Sequence, residues 1–113
     1  MVLEKWIYKH IEESLYNYAK LKESKLDTEK KLVMAIEETL EYFKGSDQEK
    51  MMLEYYFKAK KQSDKYSKGT FHNKVCYDVL FIDPSSGYVI RREIVLRVAL
   101  SAATKGVYRF GKK

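Results

Sequence analysis

This chain of 113 residues contains one proline, Pro84, and that residue constrains the fold more than any other single feature. Proline breaks helix interiors and central strands, so long uninterrupted elements are permitted on either side of the Asp83-Pro84 step. Asp suits a helix N-cap because its carboxylate accepts from the unpaired amides of the next turn. Pro suits the first helical position, where its missing N–H costs nothing. A helix is therefore expected to begin at Pro84. The same D-P-S-S-G segment, set between VCYDVLFI and YVIRREIV, is also a good hairpin turn, with Pro preset for a type I turn and Gly87 able to take positive φ. Its flanks are rich in β-branched and aromatic residues, and local propensity slightly favours the hairpin. Two architectures remain at this point. One is all-α; the other is α+β with a C-terminal β-hairpin over residues 73–95.

The rest of the chain reads as helical. Leu3, Ile7, Ile11, Leu15 and Tyr18 recur at three- and four-residue spacing, which predicts one amphipathic helix from Leu3 to about Glu23, with Trp6 and Tyr16 beside its apolar side. After a break at Ser24 to Leu26, Asp27 or Thr28 is expected to cap a second helix, with Leu32, Val33, Ile36, Leu40 and Phe43 inward and Gly45 as a left-handed terminator. These two helices form the expected N-terminal hairpin over 1–45. Ser46-Asp-Gln-Glu49 spells a capping box for a third helix, which buries Met52, Tyr55, Tyr56 and Ala59. Gln62 to Gly69 is polar and turn-like, the expected mobile linker. Thr70 is expected to cap a fourth helix, with Phe71, Val75, Val79 and Leu80 inward. The fifth helix, Pro84 to about Thr104, is expected to cover the core with Tyr88, Ile94, Val95, Val98, Ala99 and Ala102. Leu96 and Leu100 lie off that stripe. Such an apolar surplus fits either self-association as a homodimer or cover by the N-terminal helices.

Charge divides the chain. Residues 1–57 hold 9 Lys and 12 Asp or Glu, a net −3, whereas residues 58–113 hold 13 Lys or Arg and 4 Asp or Glu, a net +9. All four arginines, Arg91, Arg92, Arg97 and Arg109, fall in the last 23 residues. A C-terminal half facing polyanions is the natural reading. The tail from Gly106 alternates basic and aromatic residues that could contact a nucleic-acid backbone or fray. Cys76, the single cysteine, fits a reducing compartment and reads as a small buried thiol. No apolar stretch is long enough for a membrane span, and no signal-peptide pattern is seen, so a cytoplasmic location is expected. His10 and His72 lie in no metal-ligand spacing and read as surface groups. No phosphate loop, nucleophile elbow or converging carboxylate pair occurs, so neither an enzyme nor a cofactor is expected.

Ser86-Gly87-Tyr88, Arg91-Arg92-Glu93-Ile94-Val95, Val98 to Ala103 and Gly106-Val107 together resemble the C-terminal end of small phage late-transcription regulators of the ArpU/RinA type. Their DNA-binding module is similar to region 4 of sigma factors, and the resemblance spans roughly Asp47 to Val107. It implies an all-α single domain over 1–113, in which the N-terminal hairpin precedes a three-helix helix-turn-helix module at 46–113. It also implies a sequence-specific regulator of late genes in a bacterial host cell, bound to double-stranded DNA. In that reading Ser85, Ser86 and Val89 sample bases, while Lys74, Arg91, Arg92 and Arg97 hold phosphates. The acidic N-terminal helices would meet RNA polymerase or a second copy of the chain. Two alternatives remain: the DNA-recognition subunit of a phage packaging terminase, or a protein-interaction module without a nucleic-acid role.

Overall fold

The computed structural model describes residues 3–108. All regular structure in them is helical. The hairpin alternative for residues 73–95 is therefore corrected. Ile94, Val95 and Val98, which raise strand propensity locally, recur at helical spacing on one helix, and with Val75 from the preceding helix they are buried in one core. Tertiary burial of that kind outweighs a propensity difference of well under about 1 kcal/mol per residue.

The elements are α1 (Lys5–Tyr16), α2 (Tyr18–Leu21), α3 (Asp27–Tyr42), α4 (Asp47–Met51), α5 (Ala59–Gln62), α6 (Lys68–Val75) and α7 (Pro84–Thr104). Helix α4 runs directly into a π-helical turn at Met52–Tyr56, and α6 into another at Cys76–Leu80. Helix α7 is the central member. Its most extensive packing is against α3, followed by α4 and α1. The two N-terminal helices are thus held together mainly by α7, and of the N-terminal elements before α3 it is the short α2 that packs on it most.

Several boundaries differ from the periodicity reading, each for a local reason. The first helix stops at Tyr16, because the Asn17 side chain donates to the carbonyl of Glu13 and the chain turns before resuming as α2. Helix α3 starts after Leu26 with no side-chain cap; Ser24 Oγ instead accepts from the Leu26 amide. At the start of α4, Ser46 Oγ accepts from the Glu49 amide at 3.3 Å, and the Glu49 carboxylate reaches back to the Gly45 amide at 2.9 Å. The capping box is present, shifted by one residue on its return arm, and Gly45 turns the chain with φ 85°. Ser67, not Thr70, caps α6. In the segment before it Ser63, Asp64 and Lys65 are exposed, while Tyr66 stacks on Phe71 with ring centroids 6.0 Å apart.

The expected third helix is neither regular nor continuous. At Met52–Tyr56 the Phe57 amide bonds the Met52 carbonyl, an i to i−5 bond that widens the helix by one residue. Two consecutive tyrosines, Tyr55 and Tyr56, both enter the core there. A buried tyrosine brings a hydroxyl that must find a partner. That requirement sets up the polar centre described next.

Candidate functional site

Helices α6 and α7 meet through a three-residue turn. The π segment ends with the amides of Phe81 and Ile82 both on the Cys76 carbonyl, and Phe81 takes φ 58° and ψ 45°. Asp83 stands at the N-cap in extended conformation and Pro84 opens α7, as expected. The Asp83 carboxylate makes no capping hydrogen bond, however, so that part of the expectation is corrected. Gly87 explains how closely the two helices approach. A Cβ on Gly87 would lie 2.3 Å from Cys76 Sγ and 2.9 Å from His72 Cε1. Glycine inside a helix costs about 1 kcal/mol relative to alanine, and here it makes the crossing possible.

His72 is fully buried at that crossing, which corrects its reading as a surface group. Its ring stacks on Tyr88 at 4.0 Å between centroids. Nε2 lies 3.0 Å from the Pro84 carbonyl, and Nδ1 lies 3.1 Å from an Arg91 terminal nitrogen. A guanidinium can only donate and a carbonyl can only accept, so the imidazole is neutral, donating from Nε2 to Pro84 and accepting at Nδ1 from Arg91. Burial, reinforced by the nearby Arg91 cation, pushes its pKa below the ordinary value.

Arg91 is the hub. Its guanidinium donates to Glu12 Oε2 at 2.9 Å, to Tyr16 Oη at 3.2 Å and to Tyr56 Oη at 3.2 Å. The side chains of Arg91 and Glu12 are 11% and 20% exposed, so the pair is poorly screened by water. Tyr56 donates to the same Glu12 oxygen, and the Tyr16 and Tyr55 hydroxyls bond each other at 2.9 Å. Burial pushes the Tyr16 and Tyr56 hydroxyls far above their ordinary pKa. The network therefore ties α1, the first π turn, α6 and α7 into one polar centre.

The expected site residues separate accordingly. Ser85, Ser86, Val89 and Arg92 are all exposed on the first turns of α7, and Arg92 has no ion-pair partner among the described residues. Arg91, one residue away, is turned inward and committed to Glu12. Lys74 is exposed and paired with Asp78 at 3.0 Å. Arg97 is half-buried, its guanidinium 3.7 Å from the centroid of the Tyr42 ring. Leu96 is half-buried, while Leu100 is 47% exposed. His10 is exposed and its Nδ1 lies 2.6 Å from the Tyr108 hydroxyl. Arg109 and the basic-aromatic tail beyond it lie outside the described residues.

The sequence reading missed Glu12, Tyr16, Tyr56 and His72 as one cluster. Glu12 borders the Ile7, Ile11, Leu15 stripe and precedes Tyr16 by one turn, and that spacing was the available signal. Among the described residues no group of three or more His, Cys, Asp or Glu side chains could hold a metal ion, and no helix is long and apolar enough to cross a membrane. Compared with protein-family models, with curated proteins and with solved structures, the chain finds no match in any of the three.

Proposed function

We propose that the chain binds duplex DNA sequence-specifically through the start of α7 and acts as a transcription regulator resembling phage late-gene activators. One observation carries the reading. Helix α7 is mostly committed to the core, yet its first turns, directly after the three-residue turn, hold Ser85, Ser86, Val89 and Arg92 in solvent. Short hydroxyls, one apolar group and an uncommitted cation are the mixture that reads base edges and phosphates in a major groove. The net +9 of residues 58–113 supplies the long-range attraction. In this reading Arg92 and Lys74 contact phosphates, Ser85, Ser86 and Val89 contact bases, and Arg91 holds the helix in place. The acidic N-terminal half is left for a protein partner, RNA polymerase among them. Selection from random duplex DNA tests the reading. An enriched motif that changes with Ser86→Ala or Val89→Ala supports it, and the absence of any enriched motif rejects it.

A second reading, self-association, is favoured by the α3–α7 face. There Leu100 and Tyr42 are exposed beside Arg97, with Leu96 at the margin. Leu100→Glu should then convert a dimer to a monomer in light scattering while leaving the helical signal unchanged. A ring of many copies would instead favour the packaging-terminase alternative, and a monomer at high concentration would remove the reading.

A further inference from the structure

Phe81 has one property that works against stability and one that leaves its ring without a stabilising role. It is the sole non-glycine residue with positive φ among the described residues, at the position after a helix where glycine is the usual occupant. A bulky residue is disfavoured in that region because Cβ crowds the backbone. Phe81 is also 82% exposed, the highest value among the exposed large apolar residues described. Its ring thus adds nothing to the core, and its backbone is held where glycine would rest more easily.

The surroundings say what such a ring could meet. Tyr77, one turn earlier in the π segment, is 56% exposed. On the other side of the turn come Ser85, Ser86, Val89 and Arg92, the exposed set at the start of α7. Phe81 opens the three-residue turn that leads into that exposed set, which faces DNA in the reading above, on which this inference rests. In the major groove the thymine C5-methyl is the distinctive apolar group, and apolar side chains including Phe recognise it.

The geometry points to Phe81 as a base-reading residue whose ring covers the C5-methyl of one thymine when α7 lies against duplex DNA. The ring is retained at the turn for that contact and not for the fold. Replacing thymine by deoxyuridine removes the methyl and leaves every hydrogen-bonding group in place. Losing burial of one such group corresponds to about a fourfold loss of affinity.

The experiment uses the full chain and the duplex recovered by selection, with each thymine replaced in turn by deoxyuridine. Wild type, Phe81→Gly and Val89→Ala are titrated against every duplex, and the melting temperature of each protein is recorded. The expected result has three parts. One thymine costs the wild type about fourfold on loss of its methyl, and Val89→Ala shows the same loss there. Phe81→Gly binds the unmodified duplex more weakly and is indifferent to that methyl. Phe81→Gly also melts higher than wild type. The assignment is overturned if no thymine responds, if Phe81→Gly gives the wild-type profile, or if it melts lower, which would make the ring structural. Should selection with wild type return no motif, the DNA-binding reading falls and this assignment with it. A motif recovered equally well by Phe81→Gly sinks the assignment alone.

Discussion

The two halves of α7 hold the molecule together by different physics. From Ile94 onward the inward side is aliphatic: Ile94, Val95, Val98, Ala99 and Ala102 are each fully buried, and α3 supplies Leu32 and Ile36 opposite. Before Ile94 the half-buried Ile90 also meets the core, but the inward side is dominated by Gly87 and Arg91, set against His72, Glu12 and three tyrosine hydroxyls. The aliphatic half is non-directional and tolerates small shifts. The polar half is directional, because its hydrogen bonds need particular donor–acceptor geometry and a buried group left unpaired is costly. A helix fixed in rotation and height by the polar half can present its outer face reproducibly.

The largest expected effect lies in the aliphatic half. Ile94→Ala should cost about 2–5 kcal/mol in urea denaturation, with the same loss at every pH near neutrality. In the polar half, Glu12→Ala should cost about 3 kcal/mol, since it strands the Arg91 cation in a poorly hydrated site. Replacing both partners, as in Glu12→Met with Arg91→Met, should recover much of that loss. A double-mutant cycle showing simple additivity would mean that the two groups do not act as a pair.

Gly87→Ala comes next, at about 1–3 kcal/mol. Alanine should improve the helix by about 1 kcal/mol, so the sign reports directly on the crossing. A stabilised variant would show that Cys76 and His72 can move aside. Adding Cys76→Ala should lessen the cost, because it removes the nearer obstacle at 2.3 Å.

The smallest effect is pH dependence. Folding lowers the His72 pKa from its ordinary value of about 6.5. The unfolded chain therefore takes up the proton first as pH falls. This stabilisation is complete above about pH 6.5 and is lost from there down towards the folded value. Protonation would also remove the acceptor that Arg91 uses and set two cations together. His72→Gln should flatten the dependence in that window, as seen by comparing melting temperatures from pH 7 to 5. An equally steep slope in the variant would assign it to other groups.

How these halves were foreshadowed in the sequence follows from the same contrast. Aliphatic burial leaves a periodic trace, so Ile7, Ile11, Leu15, Leu32, Ile36, Ile94 and Val98 were legible, as was the step at Pro84. The two π turns leave no periodic trace, although the burial of Tyr55 and Tyr56 at the first of them was legible. Arg91 and Arg92 are neighbours of the same type, and only the helix phase set by distant contacts, Glu12 above all, sends one in and one out. Gly87 read only as a turn residue, because the residue it makes room for, Cys76, comes from another element. Phe81 carried no local sign of a left-handed backbone, since phenylalanine seldom adopts one.

The division of labour between adjacent arginines is tested most directly by one paired measurement. Arg91→Ala and Arg92→Ala are compared for melting temperature and for the salt dependence of binding to the selected duplex. Arg92→Ala should keep the wild-type melting temperature and reduce the log–log salt slope by about 0.9, the signature of one lost phosphate contact. Arg91→Ala should melt far lower and, at temperatures where it remains folded, keep the wild-type slope. The reverse pattern, with Arg91→Ala stable and shallow in slope and Arg92→Ala unchanged, would contradict the inward placement of Arg91 and the outward role of Arg92 together.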